Sequence, residues 1–371
     1  MRALLVQAGE RLLVDCRQTA LARLLTEGGA GAWQPAGHVS VKAEGMLTPT
    51  LTTGGARATP PAAAAPAGGV HAVRPAAAAP ADVHVDVHIE VEPSHAPFDV
   101  RGFTPLTRGG HARGGAVVLA NACGSGFDLR LTATDDRLRV QARWRPPRRE
   151  RLAAVLLRSR FHLLARAVLL QYPALWWAGC HGRVPVHAGA MTAGDSVPLL
   201  AGPGGTGRST LLLRAVAAGE HACSDNLSVT DGQDVYGLVE PVRVEGGGGR
   251  RMAHGRSECP LPGRVDSLRP DRLVILSRMP GGRPRTRPLD PAQAARVLIT
   301  GTYLAGELRR YWAFAAALAL GTGRGPAHPP IGPAALDLAQ RLPAVELLLG
   351  DRPDDGLAAL YGTRTRAEAR P

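Results

Sequence analysis

Residues 197–210 have the sequence Val-Pro-Leu-Leu-Ala-Gly-Pro-Gly-Gly-Thr-Gly-Arg-Ser-Thr. An apolar run, then glycines, then a second apolar run predicts a buried strand, a tight turn and a helix. Gly202, Gly207, Arg208 and Ser209 have the spacing of the phosphate-binding motif G-x-x-x-x-G-K-[ST], with Arg in the position of Lys. The stretch therefore predicts a phosphate-binding loop, and the alternative is a glycine-rich turn that binds nothing.

The residue types in this loop suit phosphate chemistry. Glycines let backbone N–H groups turn towards phosphate oxygens, and the helix that begins near Ser209 adds the positive end of its dipole. The basic residue would reach the outer phosphates, and a serine hydroxyl can bind Mg²⁺. Ser209 is therefore a candidate magnesium ligand. The candidate nucleotide-binding residues are Gly202, Gly204, Gly205, Thr206, Gly207, Arg208, Ser209 and Thr210.

Arg208 is a departure from the motif. A guanidinium keeps the positive charge, but its planar fork differs from the lysine ammonium in shape and reach. The chain contains a single lysine, Lys42, among 44 basic residues. The exchange is therefore consistent with a general preference for arginine in this sequence.

Composition limits the class of protein. The 371 residues suffice for two or three domains, and an apolar content of 45% provides a core. A net charge of +13 is compatible with nucleotides, acidic peptides, nucleic acids or a membrane face as partners, but the favoured interpretation is a solvated, arginine-rich surface. Because no Lys/Arg run is long and aromatic residues do not alternate with basic ones, we expect no nucleic-acid binding.

The cysteines and the apolar runs indicate a soluble, cytoplasmic protein. The five cysteines are far apart and form no CxxC pair, which argues against a disulfide framework and a cysteine-based zinc site. The first residues lack the apolar core of a signal peptide. The longest apolar run, residues 312–320, is shorter than the roughly 20 residues that cross a bilayer, so we expect no membrane contact.

Changes in pattern divide the chain. Strict alternation predicts a strand at 83–91, where His84 and His88 share the polar face and are expected to meet solvent rather than a metal. A long helix is predicted from Arg148, with an apolar stripe, until Tyr172-Pro173 ends or kinks it. The predicted order is an N-terminal segment (1–50), an Ala/Pro-rich linker (51–82), a small β unit (83–147), a bridging helix (148–178), a phosphate-loop domain (179–350) and a C-terminal tail (351–371).

Polar residues on strands around the loop are further candidates. His187 lies on the strand predicted at 183–191, beside the loop strand, and Asp225 interrupts the strand predicted at 221–229. Because the apolar strand 273–276 is followed by Ser277-Arg278, Asp225 is the natural magnesium ligand or proton acceptor. The alternatives are a turn or capping residue at Asp225 and a hydrogen-bonded structural histidine at His187. Basic residues of a later loop form a solvated surface or clamp phosphate; they are Arg250, Arg251 and Arg256.

The order of these motifs resembles a known family. His187-Ala-Gly, then the glycine-rich loop, then Ser224-Asp225-Asn226 resembles the catalytic domain of HPr kinase/phosphorylase. The resemblance is closer to the HPr-kinase-like proteins found beside peptide natural-product genes, some of which phosphorylate a serine of a precursor peptide. It covers about residues 150–350.

The resemblance implies an α/β P-loop domain related to PEP carboxykinase, preceded here by a small mainly-β domain. It implies ATP and Mg²⁺ on residues 204–210, with a peptide or protein acceptor and a homo-oligomeric assembly. Asp225 would match the first aspartate of the family's pair, as base or metal ligand, and His187 the motif histidine. Together with Arg208 they are the candidate catalytic residues.

Asn226 stands where the resemblance places a second aspartate, and an amide cannot take a proton. Three hypotheses therefore stay open. The first is an ATP-dependent kinase that transfers the γ-phosphoryl group to a hydroxyl, most plausibly of serine. The second is a nucleotide- or peptide-binding accessory protein without turnover, supported by Arg208 and Asn226. The third is an ATPase or small-molecule kinase that shares only the loop.

Overall fold

The computed structural model describes residues 1–36, 84–246, 249–252, 255–350 and 355–361. The predicted linker, residues 51–82, lies outside the described residues. The predicted α/β fold class is confirmed, with a mainly-β unit ahead of the unit that carries residues 202–209, which we call the glycine loop. In the described part of the chain, no helix combines the length and apolar character needed to cross a bilayer.

The mainly-β unit is a single sheet, the N-terminal sheet, with the strand order β3-β1-β2-β4-β9-β8-β7-β6-β5. Parallel pairing of β2 with β4 joins the first residues of the chain to the β unit predicted from residue 83 onward. The elements are β1 (Arg2–Gln7), β2 (Glu10–Cys16), α1 (Thr19–Gly28), β3 (Gln34–Pro35), β4 (Val87–Glu92), β5 (Thr104–Thr107), β6 (Gly110–Arg113), β7 (Ala116–Leu119), β8 (Phe127–Ala133) and β9 (Leu138–Trp144).

The alternating pattern of β4 is confirmed. Val87, Ile89 and Val91 are buried in the core, and the polar residues between them lie on the opposite face. On that face His88 Nε2 lies 3.0 Å from Asp15 Oδ2 on the neighbouring β2. The histidine is therefore partnered by a cross-strand carboxylate.

The prediction of one bridging helix was wrong, because the segment is broken. It contains α2 (Arg148–Leu156), α3 (Arg158–Arg166), a π-helical turn (Ala167–Gln171) and α4 (Tyr172–Cys180). The break is at Leu157, whose φ and ψ of −115° and 56° are not helical. Ahead of Pro173, in the first turn of α4, the backbone stays helical but widens into the π-helical turn, because proline has no N–H to donate.

Helix α4 anchors this segment. Trp176 and Trp177 are each 1% exposed, and α4 packs across β2, β4 and β9. By contrast α2, all of whose residues are described, buries none of them, although its sequence carries the predicted apolar stripe.

The second unit contains the remaining elements, arranged in three further sheets within the described residues. They are β10 (Val184–Val186), β11 (Ala188–Met191), β12 (Pro198–Ala201), α5 (Arg208–Ala217), β13 (Ala222–Ser224), β14 (Ser228–Thr230), β15 (Val235–Gly237), β16 (Val242–Val244), β17 (Arg250–Arg251), β18 (Ser257–Cys259), β19 (Ser267–Leu268), β20 (Arg272–Arg278), β21 (Arg285–Pro288), α6 (Pro291–Leu304), α7 (Tyr311–Thr322), α8 (Ile331–Arg341), β22 (Ala344–Leu349) and α9 (Asp355–Tyr361).

The central sheet has the order β13-β11-β12-β20-β22-β21, with β12, β20 and β22 parallel. Leu273 and Ile275 of β20 pack against α6 and α8, whereas Val274 and Leu276 join the cluster that contains α5 and α9. Helices on both faces explain why this strand is continuously apolar in sequence. Apolar runs in the sequence predict strands at 272–278 and 344–349, and Asp290-Pro291 predicts a helix start. The structure contains all three, and the Asp290 side chain accepts from Gln293 N.

The side sheet has the order β10-β14-β15-β19, and β16, β18 and β17 form a separate small sheet. The chain passes from the side sheet to the central sheet at His187 and passes back at residues 225–227. Both predicted strands are therefore split at their polar residues. The sequence also predicts a strand at 238–244, but the observed strand is shorter, because only Val242–Val244 pair. The two crossings place polar side chains where the sheets meet.

Gly202 is required where the glycine loop leaves β12. A Cβ atom built there would lie 2.7 Å from the carbonyl oxygen of Leu276 on β20. We expect Gly202→Ala to lower the free energy of unfolding by about 1–3 kcal/mol, because the buried strands must separate to admit the methyl group. Chemical denaturation monitored by tryptophan fluorescence measures this change.

Gly204→Ala is the matched control. A Cβ at Gly204 would meet no atom of the described residues within 4 Å, so we expect a change within about 0.5 kcal/mol. Equal losses in the two variants would contradict the close approach of Gly202 to β20.

Candidate active site

A cleft of about 540 Å³ opens at the glycine loop. It is bounded by α5, by the turn at residues 225–226 and by the segment 240–245, with Arg256 and Arg278 also in its wall. This volume and mixed lining fall in the range of small-molecule sites. The glycine loop is thus part of a concave site.

The loop backbone has the conformation that its glycines allow. Gly205 and Gly207 have φ values of 86° and 107°, in the left-handed region that disfavours other residues. Helix α5 begins directly after Gly207. The N–H groups of its first turn, at Arg208, Ser209 and Thr210, have no acceptor within the helix and lie beside the cleft.

Ser209 and Asp225 meet at the foot of the loop. Ser209 Oγ donates to Asp225 Oδ2 at 2.8 Å, and Asp225 is only 6% exposed. Burial raises the pKa of this carboxyl, opposed by the charge of Arg208 and by the Ser209 hydrogen bond. Among the described residues, Asp225 Oδ1 has no hydrogen-bond partner. A hydroxyl beside a carboxylate with a spare oxygen suits a hard cation such as Mg²⁺.

In the described part of the chain, the candidate cation site is formed by Ser209 Oγ and the Asp225 carboxylate. Across the described ranges, no group of three or more His, Cys, Asp and Glu side chains could hold a metal by itself. Magnesium in nucleotide sites is held by one or two carboxylates, with phosphate oxygens and water completing the octahedron. The pair Ser209 and Asp225 therefore fits Mg²⁺ only when phosphate is present.

Asn226 Oδ1 contacts two other candidate residues, Arg208 and His187. It accepts from Arg208 Nη2 at 2.6 Å and lies 2.7 Å from His187 Nε2. Burial, and then the charge of Arg208, lower the pKa of His187, so its ring is neutral near pH 7 and donates from Nε2 to the amide oxygen. The two departures from the family motif, Arg208 and Asn226, thus contact each other directly.

Arg208 is held below the loop. The residue is 9% exposed, and its Nε and Nη1 atoms have no partner among the residues that the structure describes. Its charge acts on the carboxylates of Asp225, Glu240 and Glu307. The positive charge of Arg208 therefore stabilises these carboxylates. Its Nε and Nη1 hydrogens remain available to donate to an anion.

The structure adds carboxylates that sequence reasoning missed. Glu240 lines the cleft, is 5% exposed, and burial together with the charge of Glu307 raises its pKa to about 7. Arg243 Nη1 donates to Glu307 Oε1 at 2.9 Å, and this partner outweighs burial to lower the pKa of Glu307. The available signal was a carboxylate directly after the apolar pair Leu238-Val239.

The arginines predicted for the later loop do not act together. Arg256 lines the cleft, but Arg250 forms an ion pair with Glu27 of α1, and Arg251 is exposed. Arg278, at the end of β20, lines the cleft and was not singled out. Gly202 packs against β20, whereas residues 204–210 line the cleft.

No family model matches the chain, and no curated protein matches it. Among solved structures, the chain is similar to the structure of the Hpr(Ser) kinase/phosphatase from Coxiella burnetii. The two sequences are 14% identical, the match covers 50% of this chain and 97% of that chain, and the TM-score is 0.26. Because the identity and the TM-score are this low, the chemistry of the site has to be inferred from its own residues.

The contact between Asn226 and His187 predicts a measurable change in pKa. Asn226→Asp would place a carboxylate 2.7 Å from His187 Nε2, and a neighbouring negative charge stabilises the imidazolium. We expect the pKa of His187 to rise in this variant, as followed by NMR titration of the ring protons. The other histidines in the same spectra are the internal control, and an unchanged His187 titration would contradict the contact.

The raised pKa of Glu240 predicts that the free energy of unfolding depends on pH. Its pKa in the folded protein, about 7, exceeds the ordinary value of 4.5, so the folded state binds the proton more tightly. The resulting stabilisation is lost as pH rises through about 7, and a shift of this size corresponds to about 3 kcal/mol. Between about pH 4.5 and about pH 8, the free energy of unfolding of Glu240→Gln should therefore rise by about 3 kcal/mol relative to that of wild type.

Urea denaturation across this pH range measures the gain. Glu245→Gln is the matched control, because that side chain belongs to the same cleft and is 87% exposed. Stability profiles of wild type and Glu240→Gln that run parallel would show that Glu240 does not titrate near neutrality.

Proposed function

We propose that this chain is an ATP-dependent phosphotransferase that moves the γ-phosphoryl group to a hydroxyl, most plausibly a serine, of a peptide or protein. The observation that carries the proposal is the contact between Ser209 Oγ and Asp225 Oδ2 at the start of α5. It joins a hydroxyl and a carboxylate at the end of a glycine loop, where phosphoryl-transfer proteins hold Mg²⁺. The proposal includes a role in the biosynthesis of a peptide natural product, which the family resemblance implies.

Each group has a role in this proposal. The loop N–H groups bind phosphate oxygens, and the rim cations Arg256 and Arg278 neutralise their charge. Ser209 and Asp225 hold Mg²⁺, which when bound neutralises charge on the phosphates. Positioning of the acceptor hydroxyl supplies most of the acceleration.

The proton of the acceptor hydroxyl needs a base. In the transfer, the acceptor oxygen bonds to the γ-phosphorus, the bond from that phosphorus to the bridging oxygen breaks, and ADP leaves. Asn226 cannot take the proton. Asp225 can do so through Oδ1, and Glu240 has a pKa near the operating pH, which suits a general base.

A second candidate function has its own supporting observation. Arg208 Nη2 is bonded to Asn226 at 2.6 Å, so the motif cation is engaged beneath the loop. A chain that binds nucleotide or peptide without turnover, as an accessory protein, is consistent with that contact. In this case phosphate binds to the loop and no transfer follows.

The test is transfer of labelled γ-phosphoryl from ATP, with Mg²⁺, to peptides and proteins encoded beside the gene. We expect Asp225→Asn to lower the transfer rate by about 10²-fold or more, because it removes the metal ligand and base but keeps the shape. Asp337→Asn is the matched control, since that carboxylate lies on α8 and is 55% exposed.

The outcomes separate the hypotheses. Transfer that survives unchanged in Asp225→Asn would exclude the proposed role of that carboxylate. ATP binding by wild type without transfer to its acceptor would favour the accessory protein. Absence of ATP binding, measured by calorimetry with Mg²⁺ present, would reduce the glycine loop to a structural turn.

A further inference from the structure

Helix α2 presents an apolar face to solvent. Leu152, Val155 and Leu156 are 60%, 63% and 69% exposed, and Leu157 directly after the helix is 49% exposed. These residues recur at the spacing of one helical face. A helix of nine residues gains most of its stability from packing, yet α2 buries none of its own residues, all of which are described. A contiguous exposed apolar face of this kind marks an interaction surface.

The same segment is strongly basic. Residues 148–160 contain five arginines and one acidic residue, Glu150. All five arginines are exposed; they are Arg148, Arg149, Arg151, Arg158 and Arg160. Charge complementarity therefore calls for an acidic partner that also carries apolar side chains.

The other side of α2 borders a groove of about 480 Å³. Its apolar lining includes Ala153, Phe161 and Leu164, and its cationic lining includes Arg160 and Arg310. A concave site with an apolar floor and cations at its border fits an inserted side chain of a peptide. A bilayer surface requires a helix that lies flat on it, so the groove favours a peptide over a membrane.

This surface adjoins the wall of the candidate active site. Ser159 Oγ of α3 donates to the carbonyl oxygen of Arg251 at 3.3 Å, and Arg166 pairs with Glu258 at 3.3 Å. Arg251 and Glu258 belong to the paired strands β17 and β18, and Arg256 between them lines the cleft. Helix α3, which directly follows α2, therefore lies against the strands that border the cleft.

We propose that the α2 surface, formed by residues 148–164 and Arg310, docks an acidic peptide segment with apolar side chains. The apolar side chains of the segment would cover Leu152, Val155 and Leu156 or enter the groove, and its carboxylates would pair with the exposed arginines. This docking requires no phosphoryl transfer, so it stands or falls independently of the proposed function.

The test starts with a displayed library of random peptides, selected against the full chain. We expect the enriched peptides to combine Asp or Glu with Leu, Ile or Phe. Their affinity, measured by fluorescence anisotropy, should fall at least about tenfold in Leu152→Ser/Leu156→Ser and in Arg149→Glu, and should fall as salt rises. Because these positions are exposed, the variants are expected to fold, which thermal unfolding checks.

The matched controls are Leu320→Ser, at a leucine 71% exposed on α7, and Arg296→Glu, at an exposed arginine of α6. Neither should change peptide affinity. Selection of no peptide, or peptides bound equally by all variants, would overturn the proposal. Binding to phosphatidylserine vesicles alone, or a dimer in sedimentation that is lost in Leu152→Ser/Leu156→Ser, would replace it with a membrane surface or a second copy.

Discussion

The interaction on which the site depends is made by one oxygen, Asn226 Oδ1. It accepts from Arg208 Nη2 at 2.6 Å and lies 2.7 Å from the donor His187 Nε2. His187 stands where the chain passes from the side sheet to the central sheet, and Asn226 stands where it passes back. Arg208 begins α5. This amide oxygen therefore joins the two sheets to the glycine loop.

The contact also shows why the departures at 208 and 226 belong together. A lysine ammonium is a point donor, whereas the guanidinium fork of Arg208 reaches Asn226 through one nitrogen and keeps others for a further acceptor. A neutral amide at 226 accepts from Nη2 of the guanidinium without adding another buried negative charge. The charge of Arg208 then remains available to the buried carboxylates, Asp225 first among them.

Sequence alone predicted the structural elements that are determined by residues close together in the chain. The glycine loop, the strand 272–278 and the helix start at Asp290 depend on residues within a few positions of each other, and the structure contains all three. The break at Leu157 could not be predicted, because an apolar residue there continues the helical pattern. Glu240 was missed for another reason, since its pKa is set by burial and by Glu307, 67 positions away along the chain (307 − 240).

Charge is distributed unevenly through the cleft, and the arrangement has a chemical meaning. Asp225 and Glu240 form a buried acidic floor in which both carboxyls have raised pKa values, because burial disfavours their charge. Arg256 and Arg278 lie at the exposed rim. A cation at the floor would lower both pKa values, while an anion would meet the rim. A magnesium–phosphate ligand presents this pairing of charges, so its binding would resolve the electrostatic cost of burying the acids.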